Sequence, residues 1–130
     1  AGIFTSAFIE PLPEQIEASA ECGFDAVELW TGGYAHARTP RARERALEAL
    51  LRGAECGYDC GLVVHAGHGL TYRNIAPVAA LNVFEEFNIG HSIVARAVFV
   101  GLRAAVREMK QLLQAGANRV ALADSEPARE

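Results

Sequence analysis

The sequence predicts an α/β fold built on a parallel sheet, and three observations carry that prediction. Short apolar runs alternate with longer segments of helical character along the chain, and strands alternating with helices pair in parallel. The runs are nearly continuous in apolar residues, the pattern of strands covered on both faces. An internal echo points the same way. AECGFD at residues 20–25 returns as AECGYD at 54–59, each copy closing a helix-like segment ahead of a strand-like one, as two successive βα units would.

The elements follow in order. IFTSAFI (3–9) is rich in β-branched and aromatic residues and reads as the first strand. Pro13 opens a helix, because proline suits the first helical turn, and Gly23 closes it, where a helix end accepts a left-handed residue. AVELW (26–30) is the second strand. Thr39 before Pro40 caps a helix running to about Cys56, with Ala46, Leu50 and Ala54 on one face and Leu47 and Leu51 beside them. Gly57 is expected to end that helix as Gly23 ends the first. LVVHA (62–66) is the third strand, a short helix follows over 75–80, and EEFNI (85–89) is the fourth strand. After GHS, IVARAVFVG leads into an amphipathic helix with Leu102, Val106, Met109 and Leu113 on one face. NRVALA (118–123) reads as a fifth strand or as a frayed extension of that helix. Residues 1–116 are expected to form one domain and 117–130 a disordered polar tail.

Composition sets limits. The chain has 130 residues, 51% of them hydrophobic, enough for one compact core. A net charge of −4 argues against a nucleic-acid footprint. No apolar run is long enough to span a bilayer, and AGIFTSAF lacks the basic start of a signal peptide. Cys22, Cys56 and Cys60 are an odd set without regular spacing, so they read as reduced thiols of a cytoplasmic protein. Cys56 and Cys60 would meet on a helix, but Gly57 and Gly61 are expected to break it there.

In parallel α/β folds chemistry gathers at the C-terminal ends of strands. Glu10, Glu28 ahead of TGG, His68 and the Gly90–His91 pair fall at four successive ends, the last two beside glycine. Glu28 lies between Val27 and Leu29, where a carboxylate is costly unless paired or solvated in a pocket. His68 stands between Gly67 and Gly69 and suits proton transfer near neutral pH. A hydrogen-bonded core histidine is the alternative. NIGHS runs from a strand into a helix start, where glycine lets an anion approach the backbone amides. A merely tight turn fits that stretch equally well. A metal would need His65 and His68 to converge with two further ligands from His36, His91 or the carboxylates, and on a strand passing into a turn the two histidines need not face the same way.

Three stretches resemble the pyridoxine 5′-phosphate synthase family: FIEPLPEQIEASAECGFDAVELWTGGYA, HAGHGLTYRNIAPVAAL and EFNIGHSIVARAVFVGLRAAVREMK. The resemblance covers residues 1 to about 114. It implies TIM-barrel (βα) units, four of the eight, forming a C-terminal half-barrel. It implies condensation of 3-amino-2-oxopropyl phosphate with 1-deoxy-D-xylulose 5-phosphate to pyridoxine 5′-phosphate and phosphate, with no metal or organic cofactor. His68 matches the family's proton donor and Glu28 the carboxylate that stabilises the transition state, while Gly69, Gly90 and His91 match residues that bind the aminoketone phosphate. Four positions depart from the usual pattern: Trp30 for His, His65 for Asn, Phe87 for Leu and Glu10 for Asp.

A complete barrel takes about 250 residues. Activity is therefore expected only with the other half, which in the family holds the general base, an Asn/Asp/His cluster and phosphate-binding arginines. The expected partners are small phosphorylated substrates and either a complementary half-barrel or further copies of the chain, with no nucleic acid and no membrane. The alternative is a non-catalytic, self-associating half-barrel module, truncated or engineered, that keeps a weak phosphate site.

Overall fold

A computed structural model describes residues 2–123. The chain divides into two compact units, one comprising the residues up to Leu70 with Val83–Ile89, the other Thr71–Asn82 with the residues from Gly90 onward.

The first unit holds β1 (Ser6–Ile9), α1 (Pro13–Glu21), β2 (Ala26–Trp30), α2 (Gly32–Ala35), α3 (Pro40–Asp59), β3 (Val63–Gly67) and β4 (Glu86–Asn88). The four strands form one parallel sheet in the order β1-β2-β3-β4, as the alternating pattern predicts. The strand period of two sorts their side chains. Val27, Leu29, Val64 and Ala66 are fully buried, in a core with Ile16 of α1 and Leu50 and Ala54 of α3. The opposite face carries Phe8, Glu28, His65 and Glu86 in one row across the sheet. That face is not covered: Phe8 is 56% exposed, Glu86 is exposed, and Glu28 and His65 are half-buried. Burial on both faces, expected from the apolar runs, therefore holds for one face only.

The predicted helix starts stand. Pro13 and Pro40 each occupy the first turn, and the Thr39 hydroxyl accepts from the Ala42 N–H at 3.2 Å. Gly23 takes φ +80 behind the end of α1, the expected role. Gly57 does not repeat it. It lies inside α3, which runs past Cys56 to Asp59, and Gly61 is the residue with φ +75. The reason is packing: a Cβ on Gly57 would lie 2.6 Å from Val64 Cγ2, so glycine lets α3 approach β3. The expected break between Cys56 and Cys60 is therefore absent. β1 starts later than its apolar run because Asp25 captures Thr5, accepting from its N–H at 2.7 Å and its hydroxyl at 2.9 Å. Those two bonds hold the Asp25 carboxyl below its ordinary value.

The second unit holds α4 (Ile75–Ala79), α5 (His91–Val100) and α6 (Leu102–Ala123). Gly101, at φ +80, separates α5 from α6. Arg96 on α5 donates twice to the Glu108 carboxylate on α6, at 2.8 and 3.2 Å. The buried face of α6 differs from the predicted one. Met109 is buried as expected, but Leu102 is 61% exposed, and the burial centres on Ala105, Met109 and Gly116. Small residues win because α6 closes tightly on α4: a Cβ on Gly116 would lie 2.6 Å from Ala79 Cβ. The Tyr72 hydroxyl also donates to the Ala105 carbonyl at 2.8 Å. Residues 118–123 continue α6 and form no fifth strand, so the helix passes the boundary expected at 116; residues 124–130 of the expected tail lie outside the described residues. Among the described residues no helix is long and apolar enough to cross a membrane.

Gly57→Ala sets two effects against each other. Helix propensity favours alanine by about 1 kcal/mol, whereas overpacking against Val64 costs about 1–3 kcal/mol. A net loss of stability is expected in urea unfolding, and Val64→Ala in the same chain should relieve it. A more stable Gly57→Ala chain would show that α3 and β3 have room to spare.

Candidate active site

Glu28 stands at the centre of the uncovered row, between Phe8 and His65 in register. Its carboxylate lies over Gly67 of β3, where a Cβ would overlap Oε1. The same Cβ would come within 3.0 Å of the Asn88 carbonyl oxygen. Asn88 Nδ2 donates to Glu28 Oε2 at 2.9 Å, so β4 holds the carboxylate that β3 makes room for. Burial pushes the Glu28 carboxyl above its ordinary value, the Asn88 bond and positive charge at His65 and His68 oppose that shift, and the negative charge of Glu86 adds to it. Partial desolvation on an open face keeps a carboxyl reachable while bringing its titration closer to neutral pH.

His68 follows β3 directly and is exposed, with φ +78, a conformation that side chains rarely adopt. It is not a core histidine. Its ring centroid lies 6.2 Å from Phe8 and 6.1 Å from Trp30. The backbone beneath it is fixed by Thr31, which is fully buried. The Thr31 N–H donates to the Gly67 carbonyl at 2.8 Å. Its hydroxyl lies 2.8 Å from that same oxygen and also hydrogen-bonds to the His68 carbonyl, its single proton serving one acceptor at a time. A left-handed residue costs roughly 1–2 kcal/mol, and this clamp offsets the cost. Gly69 has φ +76, and a Cβ there would lie 2.8 Å from Ala35 Cβ, so a side chain is excluded on two grounds.

Glu28, His68 and Gly69 thus belong to the first unit, and Gly90 and His91 to the second. Gly90 is the N-cap of α5 and His91 its first residue; both are exposed. Gly90 has φ −100, and a Cβ there would meet nothing within 4 Å. A tight left-handed connection is therefore not what requires glycine at this position. Of the other histidines, His36 ends α2 and His65 sits beside Glu28. Among the described residues no three His, Cys, Asp or Glu side chains are grouped to hold a metal ion. Trp30 folds back over Gly32, where a Cβ would overlap the indole. Trp30 and Glu10 line one cavity of about 250 Å³, with Leu12, Tyr34, Ala46 and Leu50 among the other lining residues.

Sequence reasoning missed Thr31, Gly67 and Asn88. A faint signal for Thr31 existed: a β-branched hydroxyl residue before two glycines, directly after a strand.

Residues 1–115 match the family described as "Pyridoxal phosphate biosynthesis protein PdxJ". The chain belongs to that family. It is 53% identical over 114 residues to the pyridoxine 5′-phosphate synthase of Trichlorobacter lovleyi, covering 88% of this chain and 48% of that protein. It is 53% identical over 112 residues to that of Syntrophotalea carbinolica, covering 86% and 47%. The identity is 54% over 114 residues to that of Cyanothece sp., covering 88% and 48%. The chain spans about half the length of the curated PdxJ relatives it matches.

Thr31→Val keeps the side-chain volume of this PdxJ clamp and removes its hydroxyl. Loss of a buried hydrogen bond with one partner left behind costs about 1–3 kcal/mol, and Thr31→Ser is expected to recover most of it. Equal urea midpoints for Thr31→Val and the parent chain would mean that the hydroxyl holds nothing.

Proposed function

We propose that residues 1–116 form the C-terminal half-barrel of a pyridoxine 5′-phosphate synthase, four (βα) units of a TIM-barrel architecture. Supplied with the complementary units, it condenses 3-amino-2-oxopropyl phosphate with 1-deoxy-D-xylulose 5-phosphate, giving pyridoxine 5′-phosphate and phosphate. The observation that carries this reading is that Glu28 of β2 and His68, directly after the neighbouring β3, both stand beside Phe8 of the uncovered row. Two features set the geometry: Gly67 makes room for the carboxylate, and Thr31 fixes the backbone of the imidazole.

The chemistry asks for such a pair. Joining an amine to a carbonyl expels water, so a group must deliver a proton to the departing hydroxyl. An exposed imidazole can deliver that proton; His68 takes that role. Glu28 places negative charge beside the nitrogen that becomes cationic, stabilising the transition state. Gly90 and His91 are assigned to the aminoketone phosphate, Gly90 by leaving the approach to the start of α5 open, and Gly69 is assigned to it by the family resemblance alone. The reaction as proposed uses no metal or organic cofactor and takes place in the cytoplasm. β1 and β4 are edge strands, and unpaired edges seek partners; the partner is a complementary half-barrel or a further copy of the chain. That edge exposure also favours the second reading, a self-associating module without catalysis that keeps a weak phosphate site.

The test is co-expression with the complementary units of the Trichlorobacter lovleyi relative, followed by assay of pyridoxine 5′-phosphate formation. The pair is expected to turn over and the chain alone is not. His68→Ala in the pair should lose about 10²–10⁴-fold, the usual contribution of a general acid. Near-normal turnover of His68→Ala would remove it from the mechanism. An inactive pair with a self-associated chain by light scattering would favour the second reading.

A further inference from the structure

We infer that Cys56 and Cys60 form a chelating dithiol site for trivalent arsenic, independent of the synthase reading. α3 runs unbroken to Asp59 with Cys60 as its C-cap, so the two residues stand one helical turn apart on one face. The turn between them is closed, since the Cys60 N–H donates to the Cys56 carbonyl at 3.0 Å. Both thiols are free and half-exposed, whereas Cys22 lies at the end of α1.

Geometry selects the ligand. A disulfide needs its Cβ atoms about 3.5–4.5 Å apart, and residues four apart on a helix hold theirs at about 5–6 Å. A direct bond would therefore unwind the last turn, while a centre that inserts one atom between the sulfurs spans the gap. Protonation selects further. Burial, then Cys60, then the charges of Glu17 and Asp59, push the Cys56 thiol up. A thiol kept protonated is a slow nucleophile toward a hydroperoxide. A zinc ion would demand thiolates and further ligands, and no such group is found among the described residues. Trivalent arsenic needs neither thiolate nor further ligands. Two S–H groups condense with two As–OH groups, two S–As bonds form, two waters leave, and arsenic keeps its oxidation state. Thiols are soft donors, suited to such a centre.

Occupancy would pin the last turn of α3, from which Gly61 turns the chain into β3. The probe is phenylarsine oxide added to the full chain, read by native mass spectrometry. One phenylarsenic per chain is expected, retained against excess glutathione and stripped by dimercaptopropanol. Cys22→Ser should behave as the parent. Cys56→Ser and Cys60→Ser should both lose the retained adduct. Should Cys56→Ser fail to fold, Cys60→Ser at the helix end decides alone, with circular dichroism as the folding check. Amide exchange over residues 57–62 should slow on binding in the parent chain. An adduct that survives in Cys60→Ser, that disappears in Cys22→Ser, or that leaves exchange over 57–62 unchanged would overturn the assignment.

Discussion

The Glu28 carboxylate lies in the space that Gly67 leaves by having no side chain, and the uncovered face of the sheet is arranged around that contact. It exists because β2 and β3 are parallel in a register that sets Glu28 against His65 and Trp30 against Gly67. A slip of one residue would turn Glu28 into the apolar layer and put Val27 and Leu29 on the uncovered face. Asn88, in register with Gly67 on the next strand, then reaches the carboxylate from its other side. The chain beyond Gly67 must leave the strand without disturbing this contact. It does so through the left-handed His68, held by a buried threonine at the end of the neighbouring strand. Packing, backbone strain and candidate chemistry thus share a few residues.

Much of the fold was legible because local rules decided it. Pro13, Thr39 with Pro40, and Gly23 fix helix ends by conformational preference alone, which needs no knowledge of neighbours. The failures came where a distant neighbour decides. Gly23 and Gly57 sit in near-identical words, but one answers to backbone conformation and the other to Val64. On α6 the large apolar side chains set the predicted face, yet a close approach to α4 rewards Gly116, and Ala105 is buried where Leu102 is not. At the site, Glu28 and His68 were readable because charge inside an apolar run and histidine between glycines are costly patterns that ask for a reason. Thr31, Gly67 and Asn88 were not, since their roles are defined by what stands across the sheet.

His65, Trp30, Glu10 and Phe87 stand at different distances from Glu28 and His68. His65 lies next to Glu28 in register and contributes to its electrostatic balance. Trp30 stands beside the His68 ring, and it shares a cavity with Glu10. Phe87 meets Phe84 edge-on at 5.6 Å. Two of the four, His65 and Trp30, thus bear on the surroundings of Glu28 and His68, whereas Phe87 packs with another aromatic ring.

The central claim is that Glu28 is a partly desolvated carboxylate held in its charged form by Asn88. A ¹³C NMR titration of the Glu28 side-chain carboxyl tests it most directly, in the parent chain and in Asn88→Ala. The account predicts a midpoint above the ordinary glutamate value of about 4.3, and a higher one in Asn88→Ala, because removing a donor to the charged form favours the proton. A midpoint at or below the ordinary value, or no rise in Asn88→Ala, would contradict it.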